Sequence, residues 1–254
     1  MAALASGSAT ALEDVDAGVR WMMVALLNAP QFLYRVEEGA RDADGRLQLT
    51  DYERVTRLAI FLWNSVPDAA LLERAQAGAF EAPEAMTELV DAMLDDPRAH
   101  RGLRNFITEW LHLGDLGRLL KDPNVFRAYS PDLGAAAVEE TLRLAEALVF
   151  DERADFRTLL TTRTTFVDRR LAAIYELIAP TEEGMERVTL PADEVRRGIL
   201  GHVSFLAARA HVAKSSPTLR GVFVREVLLC QEMAPPPADV DTSIPEPSED
   251  AVTL

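Results

Sequence analysis

LTDYERVTRLAIFLWNSVPD, residues 49–68, decides the fold. Thr50 followed three residues later by Glu53 is a capping box: hydroxyl and carboxylate satisfy each other's orphan backbone donors, so a helix starts there. Tyr52, Val55, Leu58, Ala59, Leu62 and Trp63 recur at helical spacing. From Leu58 to Trp63 no residue is polar, which predicts cover on both flanks and a central position in the fold. Pro67 cannot continue the hydrogen-bond ladder and biases Val66 away from helix, so the helix ends over 64–68.

The same signals recur outward from this stretch. Val19, Met22, Met23, Leu26 and Leu27 make a helical pattern that Pro30 interrupts, and 39–45 reads as a loop. Pro67 suits the first position of a short helix closed by Gly78. Pro83 opens another, and Asp96-Pro97 caps a long one that Gly114 stops. Residues 116–130 read as an ordered loop. Ser130-Pro131 starts a helix with Val138, Leu142, Ala145 and Val149 on its apolar face. Two short helices, 156–160 and 170–178, flank 161–168. Arg187-Val188-Thr189-Leu190 is the one plausible strand. A helix is expected over 192–208, and Ser216-Pro217 starts the last, reaching Gln231 with Cys230 as a small buried hydrophobe.

The sum is an all-α fold, an irregular bundle of about eight to ten helices. Residues 1–15 are small and polar and expected to be disordered. Residues 16–180 form the main helical domain, and 192–234 a helical pair packed on it. Residues 235–254 are an acidic, proline-containing, disordered linker or tail.

Composition excludes whole classes. A net charge of −15 argues against general nucleic-acid binding and against an anionic membrane surface. No apolar run approaches the roughly 20 residues a membrane helix needs, so no membrane insertion is expected. The single cysteine excludes an internal disulfide, a cysteine-based metal site and a CxxCH haem attachment within this sequence. No phosphate-binding glycine loop, nucleophile elbow, HExxH or EF-hand is present.

Three weaker candidates remain. Glu109 and His112 have the Glu-x-x-His spacing of di-iron bundles, but no other histidine has a glutamate three residues before it, so no metal is expected. Glu53 and Arg57 are four apart with the acid first, a helix ion pair that could extend to Arg35, Glu37 and Asp68 as a polar cluster. Lys214, Ser216, Arg220 and Gly221 stand at a helix start, where free N–H groups could hold an anion, although a serine cap before a first-turn proline explains them too. Trp63 and Trp110 are expected in the core.

These residues carry a resemblance. Leu27–Glu37, LNAPQFLYRVE, resembles the opening of the helical family called domain of unknown function 1592, and Leu58–Asp68, LAIFLWNSVPD, resembles its central signature. Asp95-Asp96-Pro97-Arg98, Phe106 with Trp110-Leu111, and Thr165-Phe166-Val167-Asp168 through Tyr175 continue the match, over about residues 18–178. Arg197-Gly198-Ile199-Leu200, Ser216-Pro217 with Arg220-Gly221, and Leu228-Leu229-Cys230 are similar to domain of unknown function 1588, over about residues 192–240.

The resemblance implies company more than chemistry. Such proteins are typically exported, from planctomycetes and myxobacteria among others, and carry cytochrome c-like modules beside the helical domains. It therefore implies a periplasmic or secreted module that docks or scaffolds haem domains, with haem c in adjoining segments and cytochrome c-like domains of the same or a neighbouring polypeptide as partners. It supplies no catalytic residues. The sequence shows neither signal peptide nor CxxCH, so it is expected to be the middle of a longer polypeptide or a shortened member. The alternatives are an enzyme domain, of oxidoreductase type, with a pocket near Arg35, Arg57 and Asp68, and an intracellular interaction module.

Overall fold

The computed structural model describes residues 2–181 and 183–234. The expected tail, 235–254, lies outside the described residues. The chain divides into two units, Met1–Ile60 with Val66–Asp91 and Phe61–Ser65 with Ala92–Leu254. Both are mostly helical. Each also holds a two-stranded antiparallel sheet among the described residues, which corrects the all-α expectation.

In the first unit, α1, Ala2–Leu12, stands where disorder was expected and packs beside α2, Val15–Leu27. Its small, alanine-rich sequence favours helix once a neighbour lies alongside. α3, Pro30–Leu33, follows with proline at its first position. The loop expected over 39–45 is a hairpin of β1, Ala40–Arg41, and β2, Leu47–Gln48. Asp42 closes its turn, Oδ1 accepting from the amides of Asp44 at 3.0 Å and Arg46 at 2.9 Å.

The capping box opens α4, Asp51–Trp63. Thr50 N and Oγ1 donate to Glu53 Oε2 at 2.7 and 2.9 Å, and Glu53 N donates to Thr50 Oγ1 at 3.3 Å. The central position predicted for this helix needs correction. Val55, Ala59 and Trp63 are buried, but Phe61 is 81% exposed and Ile60 is also exposed. An unbroken apolar run shows only that no polar group is present, not that two flanks are covered. α5, Ala69–Gln76, is capped by Asp68 rather than begun by Pro67, and α6, Pro83–Leu94, starts as predicted.

In the second unit, Trp63 Nε1 donates to Met93 O at 2.9 Å, and the Arg98 guanidinium lies 3.4 Å from the centre of its ring. α7, Pro97–Trp110, is capped by Asp96. It ends before Gly114, because His112 turns into the left-handed region at φ 53°. A 3-10 turn over Leu113–Arg118 leads to α8, Leu133–Glu146, extended by a π-helical turn over Ala147–Asp151.

α8 is the helix enclosed on both flanks. Leu142, Leu144 and Ala145 join Ile107, Leu116, Leu159 and Phe223 in one core. Leu133, Ala136 and Ala137 join Val167, Leu171 and Tyr175 in a second. The buried face is therefore broader than the stripe of Val138, Leu142, Ala145 and Val149 predicted for it.

Residues 161–168 supply β3, Thr164–Val167. It pairs with β4, Glu186–Thr189, the strand the sequence suggested, with Thr165 opposite Val188. α9, Arg169–Ile174, is capped by Asp168, which accepts from Arg170 N and Leu171 N at 2.9 Å each. The single helix expected over 192–208 is not formed. A 3-10 turn over Ile199–Gly201 precedes α10, Val203–Ala208. The cause is Gly198, at φ 47° and ψ −163°, a conformation essentially reserved for glycine. α11, Pro217–Phe223, and a π-helical turn over Val224–Leu228 complete the described chain.

A Cβ on Gly198 would lie 2.2 Å from Leu159 O and 2.5 Å from Leu160 C, so side chains are excluded by contact as well as by conformation. Gly198→Ala should lower unfolding free energy by roughly 2–4 kcal/mol. Gly117→Ala, with nothing within 4 Å of the added carbon, is the control. Urea unfolding of both variants measures the difference, and equal midpoints would refute the assignment.

Candidate functional site

Four of the five residues of the predicted polar cluster meet in the first unit. Arg57 forms a two-pronged ion pair with Glu37, its Nε donating to Oε1 at 2.7 Å, and Arg35 Nε lies 3.3 Å from the same carboxylate. Glu53 serves the backbone, accepting from Gly39 N at 3.0 Å and from Glu38 N at 2.6 Å as well as from Thr50. The Arg57 hydrogen bond holds the Glu37 carboxyl below its ordinary range. The amides of Thr50 and Gly39 hold Glu53 down to about 2. These groups tie the segment before β1 to α4. Asp68 caps α5, accepting from Leu71 N at 2.9 Å.

At the predicted anion site, Ser216 is the cap of α11, accepting from Leu219 N at 3.4 Å. Lys214 is exposed, Gly221 has open space around it, and Arg220 Nη2 donates to Leu206 O at 3.2 Å. Glu109 accepts from Asn105 Nδ2 at 3.0 Å, while His112 meets the edge of Phe223, 6.0 Å between ring centres. Among the described residues no group of three His, Cys, Asp or Glu side chains could hold a metal ion. Trp110 is half-buried between Phe106 and Phe156. Cys230 is exposed rather than buried: the last helical turn stops at Leu228, and Cys230 turns left-handed at φ 51°.

The structure adds a site that sequence reading missed. Glu140, in the middle of α8, is 0% exposed. Thr165 of β3 donates to its Oε1 at 2.6 Å, and the Tyr175 hydroxyl, just after α9, lies 2.8 Å from both carboxyl oxygens. Tyr175 Oη in turn accepts from Val203 N at 3.0 Å. His202, 4% exposed, brings Nε2 to 3.6 Å from Glu140 Oε1. Its Nδ1 lies 3.0 Å from Thr141 Oγ1, which lies 2.7 Å from Ser204 Oγ. The one legible signal was position: Glu140 lies on the helical face of Leu133, Ala136, Ala137 and Leu144, whereas the sequence reading centred on the adjacent face.

Burial sets the protonation of this network. Desolvation raises the Glu140 carboxyl to about 8, against the pull of the Thr165 and Tyr175 hydroxyls and of Arg196. Desolvation lowers His202 to about 3. Tyr175 is raised, by burial and then by Glu140. At neutral pH the group is thus a proton-bearing carboxyl beside a neutral imidazole. The space beside them is about 10 Å³, the lower limit for one water. A site of that size admits no substrate. What it can do is hold a proton and pin α8, β3, α9 and α10 together.

A mostly helical chain of two units, with a sealed carboxyl network in the second, defines the class. Residues 49–177 match the family described as PSD4, "Protein of unknown function (DUF1592)", and 196–254 match PSCyt3, "Protein of unknown function (DUF1588)". The first match covers just over half of the sequence, and the chain belongs to that family, with the second following in tandem. No curated protein and no solved structure matches it.

The two titrations act in opposite directions. Glu140 is raised above its unfolded value, so its contribution is full below about 4.5 and is lost as pH rises toward 8. His202 is depressed, so its contribution is full above about 6.5 and is lost as pH falls toward 3. Between 4.5 and 6.5 the two slopes cancel. Stability should therefore fall on the alkaline side between 6.5 and 8, by roughly 1 kcal/mol per pH unit. Melting temperatures of the wild type and Glu140→Gln across that range test this: the decline should vanish in the variant, and parallel curves would assign it elsewhere.

Proposed function

We propose that the chain is a helical scaffold module that docks a cytochrome c-like domain of the same or a neighbouring polypeptide, outside the cytoplasm, and carries no haem itself. The observation that carries this reading is the run of large apolar side chains left exposed in the first unit. Trp21, Met23 and Leu27 of α2 and Phe32 and Tyr34 at α3 all face solvent, in a chain of net charge −15. Exposed aromatic and aliphatic clusters mark partner surfaces, and surrounding acidic charge steers a basic partner onto them. The name PSCyt3, borne by the family matched over 196–254, supports a cytochrome context.

No helix among the described residues is long and apolar enough to cross a membrane. The enzyme reading centred on Arg35, Arg57 and Asp68 draws no support from the geometry. Arg35 and Arg57 are engaged by Glu37, and Asp68 by the first turn of α5.

Two measurements test the proposal. The purified chain should show no Soret band, and one that co-purified would contradict the absence of its own haem. A basic c-type domain, taken from the adjoining or neighbouring coding sequence, should bind at low ionic strength and weaken as salt is added. The double variant F32S/Y34S should weaken that binding roughly ten- to hundredfold. Equal affinity for wild type and variant, or no binding at low salt, would remove the docking surface from the first unit.

A further inference from the structure

The second unit holds a cavity of about 380 Å³, of the size that small-molecule sites occupy. Its walls are apolar, with Leu133, Ile174, Val203 and Leu206 among them. Its charge is one-sided. Lys121, Arg127, Arg196 and Arg220 line it, and among the described residues no Asp or Glu does, although acidic residues outnumber basic ones 41 to 26 in the chain.

Two of these cations are incompletely served. Lys121 is only 6% exposed, and its ammonium donates to two carbonyls, Ala210 O at 2.9 Å and His211 O at 2.8 Å. An ammonium has three donors, so one remains. Arg220 donates from Nη2 to Leu206 O at 3.2 Å, while its buried Nε has no partner. Among the described residues neither is paired with a carboxylate. Each of the two charges raises the cost of burying the other, and Arg220 adds to desolvation in lowering the Lys121 ammonium. Removing a charge from water without an opposite charge is expensive, so a binding anion would meet a strong, localised field.

We infer that this cavity binds a small amphiphilic carboxylate, with its head between Lys121 and Arg220 and its aliphatic or aromatic body along the wall of Leu133, Ile174, Val203 and Leu206. Both parts of the ligand are specified. A bare anion would leave the apolar wall uncovered, and a neutral hydrocarbon would leave the buried Lys121 and the half-buried Arg220 unanswered. The site is separate from the exposed face of the first unit and does not depend on the docking reading. Two of its lining residues also touch the Glu140 network: Val203 N donates to Tyr175 Oη, and the Arg196 guanidinium lies over the Tyr175 ring.

Calorimetric titration of the full chain with decanoate, decanol, decyltrimethylammonium and acetate tests the inference. Decanoate should bind with one site per chain, and the other three should bind at least roughly tenfold more weakly. Arg220→Gln, which keeps a donor for Leu206 O, should weaken decanoate roughly ten- to hundredfold and leave decanol unaffected. Ala173→Phe places a ring into the cavity from an exposed position of α9 with both cations intact, and should abolish binding while the circular dichroism spectrum is retained. Decanol binding as tightly as decanoate, or decanoate binding equally to wild type and both variants, would overturn it. So would the absence of heat with decanoate in a wild-type chain that melts cooperatively.

Discussion

A carboxyl group enclosed by protein must find its hydrogen bonds there, and three other chain segments converge on Glu140, two of them providing those bonds. Unpartnered, a buried carboxyl costs several times what any one of these bonds contributes, so the arrangement is held more by the penalty of losing a partner than by the bonds themselves. Thr165 reaches Glu140 from β3, Tyr175 from the end of α9, and His202 from the turn before α10. Each of those elements is too short to persist alone: β3 has four residues, α9 and α10 six each. Their order comes from the helix they surround.

The consequences spread outward from that contact. β3 turns its Thr165 and Val167 face inward, Thr165 meeting Glu140 of α8, and pairs along an edge with β4. Leu190 N then donates to Arg163 O and Gly198 N to Thr162 O, each at 2.8 Å, which brings the chain back under the end of β3. There the backbone passes so close to Leu159 and Leu160 that only glycine fits. The turn at Gly198 in turn delivers His202 and Val203 to the network. By contrast, the surface ion pairs, such as Arg153 with Asp95 or Arg157 with Asp155, are well exposed and contribute little to stability.

Charge is distributed unevenly in the same unit. The chain as a whole is acidic, yet basic side chains gather around a cavity with apolar walls. Much of the remaining arginine is spent locally: Arg104 on Glu139 and Glu146, Arg170 on Asp132 and Asp168, and Arg187 on Glu152. The polar cluster of the first unit follows that local pattern, with Arg57 and Glu37 neutralising each other at the surface.

Local signals were legible in the sequence, because capping and proline chemistry act within a few residues. The Thr50–Glu53 box, the Asp96-Pro97 start and the Ser216 cap stand where the sequence placed them, and the strand expected over 187–190 forms one residue earlier, over 186–189. So was the family, since long ordered signatures survive as text. What could not be read was which faces of the helices are covered. The apolar run 58–63 suggested a central helix, yet the enclosed helix is α8, whose sequence carries Glu139, Glu140 and Thr141 at its middle. The sequence by itself determined where helices begin and that most of the chain is helical. Only the tertiary structure decided that Glu140 keeps its proton, that Gly198 breaks a helix, and that basic side chains from distant segments share one cavity. Those outcomes depend on groups from 121 to 220 meeting in space, and water exclusion and close approach are properties of that meeting rather than of any local stretch.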